Sequence, residues 1–331
     1  MNSKNQSILV IGGAGYIGSH VVLELCDQGY DVTVFDNLST GHEMNIDSRA
    51  ELVHGDILHA DELAGVFSKP HDAVCHFAAL KAVGESMLEP GKYAKVNITG
   101  TINILDHMIE NNIENIVFSS TAAVYGMPKY LPVDEKHPLD PINFYGFTKL
   151  EIERLLYWYS ELKGIKYAAL RYFNAAGYDN AGRIRGLDTN PQNLLPIIMG
   201  TATGFRNSMQ VFGDNYKTSD GSCIRDYIHV SDLATAHIKA LDYIIKNTGN
   251  LTLNIATGAR YSVLDIINQA REVTGEVINY DIADRRPGDP AELFAVAKLS
   301  ADTIGWEGKN SDIKTILESL WNVYKLEKSV H

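Results

Sequence analysis

A short apolar run at residues 8–11 stops at Gly12, and Gly15 and Gly18 follow at three-residue intervals into a helix-forming stretch. Few folds accommodate a strand, a glycine turn and a helix in such quick succession. The spacing suits a tight turn, close backbone approach to a pyrophosphate, and anion binding at the N-terminus of the helix. Asp36 ends the second apolar run, 18 residues past Gly18. A carboxylate there accepts hydrogen bonds from an adenosine ribose and repels a 2′-phosphate, so the expected dinucleotide is NAD and not NADP. The plainer alternative is a structural turn beside a solvated Asp. The strand before, the helix after and the carboxylate in register argue against it. Asp56 and Ile57, behind a third apolar run, are placed to meet the adenine end, although an Asp in such a loop also serves as a helix cap.

The same alternation continues through the first half. Strands are expected at residues 8–11, 32–35, 52–54, 73–77, 116–119 and 167–171, most of them near-continuous apolar runs. Such runs belong to a parallel sheet covered by helices on both faces. Stretches 19–28, 97–110 and 145–162 have the length of crossover helices. The fold class is therefore α/β: a doubly wound parallel sheet of the Rossmann type over residues 1–173, binding NAD. Beyond that point the strict alternation is lost, and Gly, Pro and Asn become frequent across residues 174–196. Helices are expected near 230–243, 263–274 and 313–324. No repeat, low-complexity tract or Gly/Ser linker interrupts the chain. Residues 174–331 thus read as a smaller C-terminal α/β substrate-binding domain, with some elements packing back on the first and a cleft between the two.

Charge and cysteine usage narrow the partners. The 331-residue chain has a formal net charge of −12. An acidic surface opposes a chain-wide grip on nucleic acid or on an anionic membrane, yet a few local Arg or Lys residues still suffice to hold a phosphate. Cys26, Cys75 and Cys223 lie far apart without a Cys-x-x-Cys pair. They read as idle thiols in a reducing compartment; neither a disulfide framework nor a metal site is expected. Residues 1–7 are polar and show no leader pattern, and no apolar stretch approaches the roughly 20 residues of a bilayer span. The expected location is the cytoplasm.

Tyr145 and Lys149 stand four residues apart at the start of the third crossover helix, so their side chains share a face. A free phenol titrates near about 10 and needs help to act as a base at neutrality. A neighbouring ammonium supplies that help by favouring the phenolate. Ser119, Ser120 and Thr121 follow the fifth strand, at the carboxyl end where a parallel sheet binds its ligands. A Tyr-x-x-x-Lys pair alone is weak, since any surface helix carries one by chance. Its weight comes from the company of the glycine turn and the Ser-Ser-Thr strand end.

Four stretches carry a wider resemblance: Gly12-Gly13-Ala14-Gly15-Tyr16-Ile17-Gly18-Ser19-His20; His76-Phe77-Ala78-Ala79-Leu80-Lys81-Ala82-Val83-Gly84-Glu85-Ser86; Leu170-Arg171-Tyr172-Phe173-Asn174; and Arg225-Asp226-Tyr227-Ile228-His229-Val230 with Asp232-Leu233-Ala234. The chain resembles the extended short-chain dehydrogenase/reductase family nearly from end to end, and within it the UDP-hexose 4-epimerases. The resemblance implies that Tyr145 takes the proton of a sugar 4-hydroxyl while hydride passes between C4 and tightly bound NAD. It implies that Lys149 holds the nicotinamide ribose and that Thr121 hydrogen-bonds the reacting oxygen. The family usually has Ser at this last position; Thr keeps the hydroxyl with fewer rotamers. Around NAD the resemblance also puts Gly12, Gly15, Tyr16, Ile17, Gly18, Asp36, Asn37, Asp56, Ile57, Phe77, Ala78, Ala79, Lys81, Asn97, Ser119, Tyr172 and Phe173. For Phe77, Ala78 and Phe173, plain core packing is the competing account.

On the substrate side, Arg225 and Arg286 are the expected diphosphate ligands, because a guanidinium matches phosphate oxygens two at a time. A surface ion pair is the alternative for either one alone. The resemblance implies Asp289 on the uridine ribose, and Asn174, Asn193, Leu194, Gln210 and Phe212 on the diphosphate, sugar and uracil. Lys81, Thr121 and Tyr145 complete the sugar pocket. Leu293 departs from the family, where a bulky aromatic at this position excludes N-acetyl groups. The expected substrates are UDP-glucose and UDP-galactose, with UDP-GlcNAc and UDP-GalNAc as additions; a 4-epimerase confined to N-acetylated sugars or to UDP-pentoses is the alternative. A 4,6-dehydratase of the same superfamily needs an Asp-Glu pair where this chain has Ala122 and Ala123. A non-catalytic NAD-sensing protein would be expected to lack Tyr or Lys, and a simple dehydrogenase is left open. Relatives dimerise through the helices near 97–110 and 145–162, so a homodimer is expected, with the monomer's own core as the other use for Leu155, Leu156, Tyr157, Trp158 and Tyr159.

Overall fold

The computed structural model describes residues 6–188, 191–247, 249–286 and 288–328, so most of the polar segment 1–7 lies outside the described residues. In the first half, β1 (Ser7–Ile11), α1 (Tyr16–Asp27), β2 (Asp31–Asp36), β3 (Glu51–His54), α2 (Ala60–Phe67) and β4 (Ala73–His76) follow in order. Then come α3 (Val83–Leu88), α4 (Pro90–Tyr93), a π-helical turn at Ala94–Thr99, α5 (Gly100–Glu110), β5 (Asn115–Ser119), α6 (Phe144–Lys163) and β6 (Lys166–Tyr172). All six expected strands form, each within one residue of its expected limits. The second half runs β7 (Asn174–Ala176), α7 (Leu194–Ala202), β8 (Met209–Phe212), β9 (Ile224–Arg225), β10 (Tyr227–His229), α8 (Val230–Lys246) and β11 (Leu251–Ile255). It ends with β12 (Tyr261–Ser262), α9 (Val263–Thr274), β13 (Tyr280–Ala283), β14 (Glu292–Leu293), α10 (Lys298–Ile304) and α11 (Ile313–Lys328).

The main sheet has seven strands in the order β11-β6-β5-β4-β1-β2-β3, all parallel. The chain winds outward from β1 in one direction and, from β4, in the other. The crevice between β1 and β4 is thus the switch point, where ligands of such sheets bind at the carboxyl ends. Val21, Val22 and Leu25 of α1 join Leu233, Ala236 and Leu241 of α8 on one face, while Leu63 of α2, Ile104 of α5 and Ile152 and Leu156 of α6 cover the other. Each fully buried aliphatic side chain of this kind contributes about 1.5–3 kcal/mol.

The second half does not stay apart from this sheet. β11 extends it beyond β6, with Leu251, Leu253 and Ile255 buried, and α8 packs beside α1. The remaining elements build a separate core from α7, α9, α11, β8 and β10, around Ile198, Ile267, Leu317 and Leu320. None of the helices among the described residues is long and apolar enough to cross a membrane.

Candidate active site

The glycine turn has three different jobs at its three positions. Gly12 adopts φ +84°, and a Cβ there would lie 2.4 Å from the Ala78 nitrogen, so the loop after β4 packs directly on its backbone. At Gly18 a Cβ would sit 2.2 Å from the Gly12 carbonyl oxygen, which keeps α1 close to the turn. Gly15 is unlike both, because a Cβ would meet only that carbonyl, at 3.4 Å. Its missing side chain leaves open space in front of α1, whose N-terminus has no side-chain cap and no acidic residue in its first turn. Uncapped N–H groups behind a bare glycine fit a pyrophosphate.

Asp36 closes the turn from the end of β2. Its Oδ2 accepts from Ala14 N–H at 2.9 Å and its Oδ1 from Leu38 N–H at 2.8 Å, with lone pairs left for ribose hydroxyls. Asn37 donates to Asp56 at 2.9 Å, joining the ends of β2 and β3, and Ile57 is buried against Gly100. Tyr16 donates its hydroxyl proton to the Gly177 carbonyl at 2.5 Å, tying α1 to the second half. Ile17 packs against the sheet core.

Beyond β4, Phe77, Ala78 and Ala79 form a loop that Asn97 holds from below. The Asn97 Oδ1 accepts from Leu80 N–H at 2.8 Å, while its Nδ2 donates to the Leu80 carbonyl at 3.1 Å and to Thr148 Oγ1 at 3.0 Å. In this structure its amide shapes the loop. The Phe77 ring lies 4.9 Å from the His237 ring, and Lys81 reaches Asp188 at 3.4 Å.

The N-terminus of α6 is fastened twice. Asn143 caps it by accepting from Gly146 N–H at 2.8 Å, an arrangement worth about 1 kcal/mol. The Ser86 hydroxyl accepts from Tyr145 N–H at 3.1 Å. A Cβ on Gly146 would lie 2.6 Å from the Ala123 carbonyl oxygen, so a bare helix turn is what lets the 3-10 turn Ala122–Tyr125 approach. That approach sets the Thr121 side chain beside Tyr145, where its hydroxyl opposes the upward shift of the phenol. Asn143, Ser86 and Gly146 were not singled out from the sequence. An Asn two residues before Tyr145 is a readable cap signal; the other two act across distance and are not.

Lys149 is buried one helical turn further on. Its Nζ donates to the Ser119 carbonyl at 2.8 Å and lies 4.7 Å from the Phe118 ring centroid. Ser119 and Tyr172 share a short hydrogen bond between their hydroxyls. Burial pushes the Tyr145 phenol up to about 12, opposed by the Thr121 hydroxyl. Burial also pulls Lys149 down to about 7, opposed by the Glu153 charge. Each group alone resists charging. A phenolate beside an ammonium charges both at lower cost, because each supplies the counter-charge of the other.

The expected substrate residues of the second half lie on or beside β7, β8, β9, β14 and α7. Arg225 on β9 forms an ion pair with Asp289 and stands in register with Leu293 of β14. The Arg286 guanidinium stacks 3.8 Å from the Phe212 ring centroid. On β8, Met209 and Val211 point inward, leaving Gln210 and Phe212 on the opposite side of the strand. Asn174 donates to the Asp226 carbonyl at 2.8 Å, and Asn193 opens α7 just before the partly buried Leu194. Leu293 and Phe173 both pack on the cluster of Ala122, Val124 and Tyr125, close behind Thr121.

A doubly wound sheet with this glycine turn at its switch point defines the dinucleotide-binding α/β class. Within that class the chain belongs to the NAD dependent epimerase/dehydratase family, whose pattern matches residues 8–256. It is 47% identical over 322 residues to the UDP-glucose 4-epimerase of Halalkalibacterium halodurans, covering 96% of each chain. Among solved structures, it superposes on the UDP-glucose 4-epimerase of Brucella ovis in complex with NAD with a TM-score of 0.94, at 41% identity, covering 96% of this chain and 98% of that one. The UDP-glucose 4-epimerase of Bifidobacterium longum in complex with NAD+ and UDP gives a TM-score of 0.92 at 36% identity, covering 97% of this chain and 98% of that one.

Proposed function

We propose that the chain is an NAD-dependent epimerase that interconverts UDP-glucose and UDP-galactose by inverting the sugar at C4. The observation that carries this reading is the partly exposed Tyr145 one helical turn from the buried Lys149 and beside Thr121, at the carboxyl edge that also holds the glycine turn. Likeness to UDP-glucose 4-epimerases along 96% of the chain supports it. The hydride chemistry at C4, outward through a transient 4-keto sugar and back to its other face, is what NAD supplies when bound.

The side chains have the following roles in this reading. Tyr145 Oη takes the proton of the sugar 4-hydroxyl and later returns it. Thr121 Oγ1 hydrogen-bonds the same oxygen and steadies it. Lys149 Nζ donates to a ribose hydroxyl and favours the phenolate. Gly12, Gly15 and Gly18 with the start of α1 cradle the pyrophosphate, and Asp36 orients the adenosine ribose. Arg225 and Arg286 clamp the substrate diphosphate, Asp289 takes the uridine ribose, and Gln210 and Phe212 border the uracil. Ala122 and Ala123 cannot move protons, which removes the elimination chemistry of a dehydratase.

Leu293 favours a second substrate class. A Leu lining the pocket behind Thr121 leaves more room than an aromatic ring, so N-acetylated UDP-hexoses are accepted as well. We further infer a cytoplasmic homodimer. Three free buried cysteines fit a reducing compartment, and Tyr157, Trp158 and Leu162 of α6 are 48%, 56% and 70% exposed, an apolar stripe suited to a second copy. The decisive experiment incubates the purified protein with UDP-galactose and, separately, UDP-GalNAc, with no NAD added, and identifies the products by NMR. Conversion to the 4-epimers is expected. Accumulation of reduced cofactor in step with substrate loss would identify a dehydrogenase instead.

A further inference from the structure

Glu153 lies one helical turn past Lys149 on α6, on the same helix face, and is buried. Its Oε1 accepts from the Ser120 hydroxyl at 2.5 Å and from Arg171 Nε at 2.9 Å; its Oε2 accepts from Arg171 Nη2 at 2.5 Å. Arg171, buried on β6, also donates from Nη1 to the Tyr125 hydroxyl at 3.1 Å. Tyr125 in turn donates to Asn254 on β11 at 2.6 Å. A continuous polar chain therefore joins the helix of Tyr145 and Lys149 to the end of β5 and to the outer strands of the sheet.

Stability alone is a poor reason for this arrangement. A buried ion pair seldom stabilises a fold more than apolar side chains of the same volume would. Its placement is more telling. Ser120 sits between Ser119, whose carbonyl receives Lys149, and Thr121, whose hydroxyl meets Tyr145. Among the described residues, the titratable groups around Lys149 and its neighbours Ser119 and Glu153 come from three elements. His76 on β4 is held neutral by burial, with its pKa down at about 3. Tyr145 on α6 and Tyr172 on β6 are pushed up by burial and stay uncharged. Arg171 on β6 is bound to Glu153. That leaves Glu153 as the negative charge that acts on the lysine.

We propose that Glu153 is a positioning residue for the reaction: it holds the strand end of Ser119, Ser120 and Thr121 against α6 and keeps Lys149 an ammonium beside the Tyr145 phenol. The proposal rests on the reading of Tyr145 and Lys149 as the reacting pair. Its test does not need turnover. Glu153→Gln keeps the size and one acceptor oxygen but removes the charge. The full chain, with its NAD retained, is labelled at lysine Nζ and titrated by nitrogen NMR; the Lys149 signal is assigned by its loss in Lys149→Met. The Lys149 midpoint is expected to fall by about one pH unit. In parallel, kcat falls increasingly as pH rises, while KM for UDP-galactose changes less than about twofold.

Because Arg171 without its partner can unfold the chain, a second variant joins Glu153→Met to Arg171→Leu, replacing the pair with apolar side chains. A smaller shift in the same direction is expected there, because the Arg171 cation leaves with the Glu153 charge while Glu153 is the nearer of the two to Lys149 along α6. A Lys149 midpoint unchanged in whichever variant folds reduces Glu153 to a structural partner of Arg171 and overturns the proposal. A shifted midpoint in a protein whose parent never epimerises UDP-galactose would leave the coupling standing and remove the proposed reaction.

Discussion

The Lys149 Nζ lies 6.0 Å from the centroid of the Tyr145 ring, so a buried ammonium and a half-buried phenol face each other across one helical turn of α6. Replacing the phenol alone should separate chemistry from folding. Tyr145→Phe removes one hydroxyl beside Thr121, a change of about 1 kcal/mol in stability. Loss of a positioned base should lower kcat by roughly 10²–10⁴-fold. Turnover of UDP-galactose and thermal unfolding of the same samples check this together. Activity within tenfold of the parent would show that another group takes the proton.

Lys149 also leaves a signature on stability. Folded, it titrates at about 7; unfolded, at about 10.4. Between those values the unfolded chain binds the extra proton, so this lysine's contribution to stability rises with pH and is least favourable below about pH 7. Lys149→Met removes that dependence. The melting temperature of the variant, relative to the parent, should therefore climb as pH falls from about 10 to about 7. A gap that stays constant across the window would show that the lysine is not depressed.

The three glycines should fail in different ways. Gly18→Ala drives a methyl into the Gly12 carbonyl and should cost about 2–3 kcal/mol of stability. Gly15→Ala meets nothing tight within the protein, so its stability should stay within about 1 kcal/mol of the parent. NAD retention, read from the absorbance released on denaturing gel-filtered protein, should nevertheless fall at least about tenfold, because the methyl fills space reserved for a pyrophosphate. Full retention in Gly15→Ala would move the dinucleotide elsewhere.

Leu293→Tyr tests the pocket size. The larger ring should reduce turnover of UDP-GalNAc by roughly 10-fold or more and leave UDP-galactose within a few-fold. Equal losses on both sugars would mean that position 293 does not sense the C2 substituent.

What the sequence disclosed follows from the range of the interactions involved. β1, β2, β4 and β5 are runs of buried apolar residues, and the turn between β1 and α1 is set by glycines a few positions apart; both are local patterns. β11 escaped because Thr252 and Asn254 interrupt its apolar residues, leaving only a short alternation between two helices. Its identity as a strand depends on pairing with β6, and the Asn254 side chain finds Tyr125 across 129 positions. Ser86 meets Tyr145 across 59 positions and Ser120 meets Glu153 across 33. Position-by-position reading offers no cue for such partners. Asn97, which the resemblance puts near NAD, likewise reaches distant partners, with its amide bound to Leu80 and Thr148.

The seventh strand has a consequence for how the chain is made. During synthesis β6 emerges well before β11, and until residues 251–255 arrive its outer edge offers unpaired N–H and C=O groups to any neighbour. The first 173 residues alone are therefore expected to fold less securely than the full chain. A fragment ending at residue 246 should aggregate or populate a loosened sheet, and adding back residues 247–260 in the same chain should restore solubility, as sedimentation of the two fragments would reveal. Closing this edge ties completion of the cofactor half to an element encoded some 80 residues later, so the nascent protein depends on late-arriving backbone to protect what it folded first.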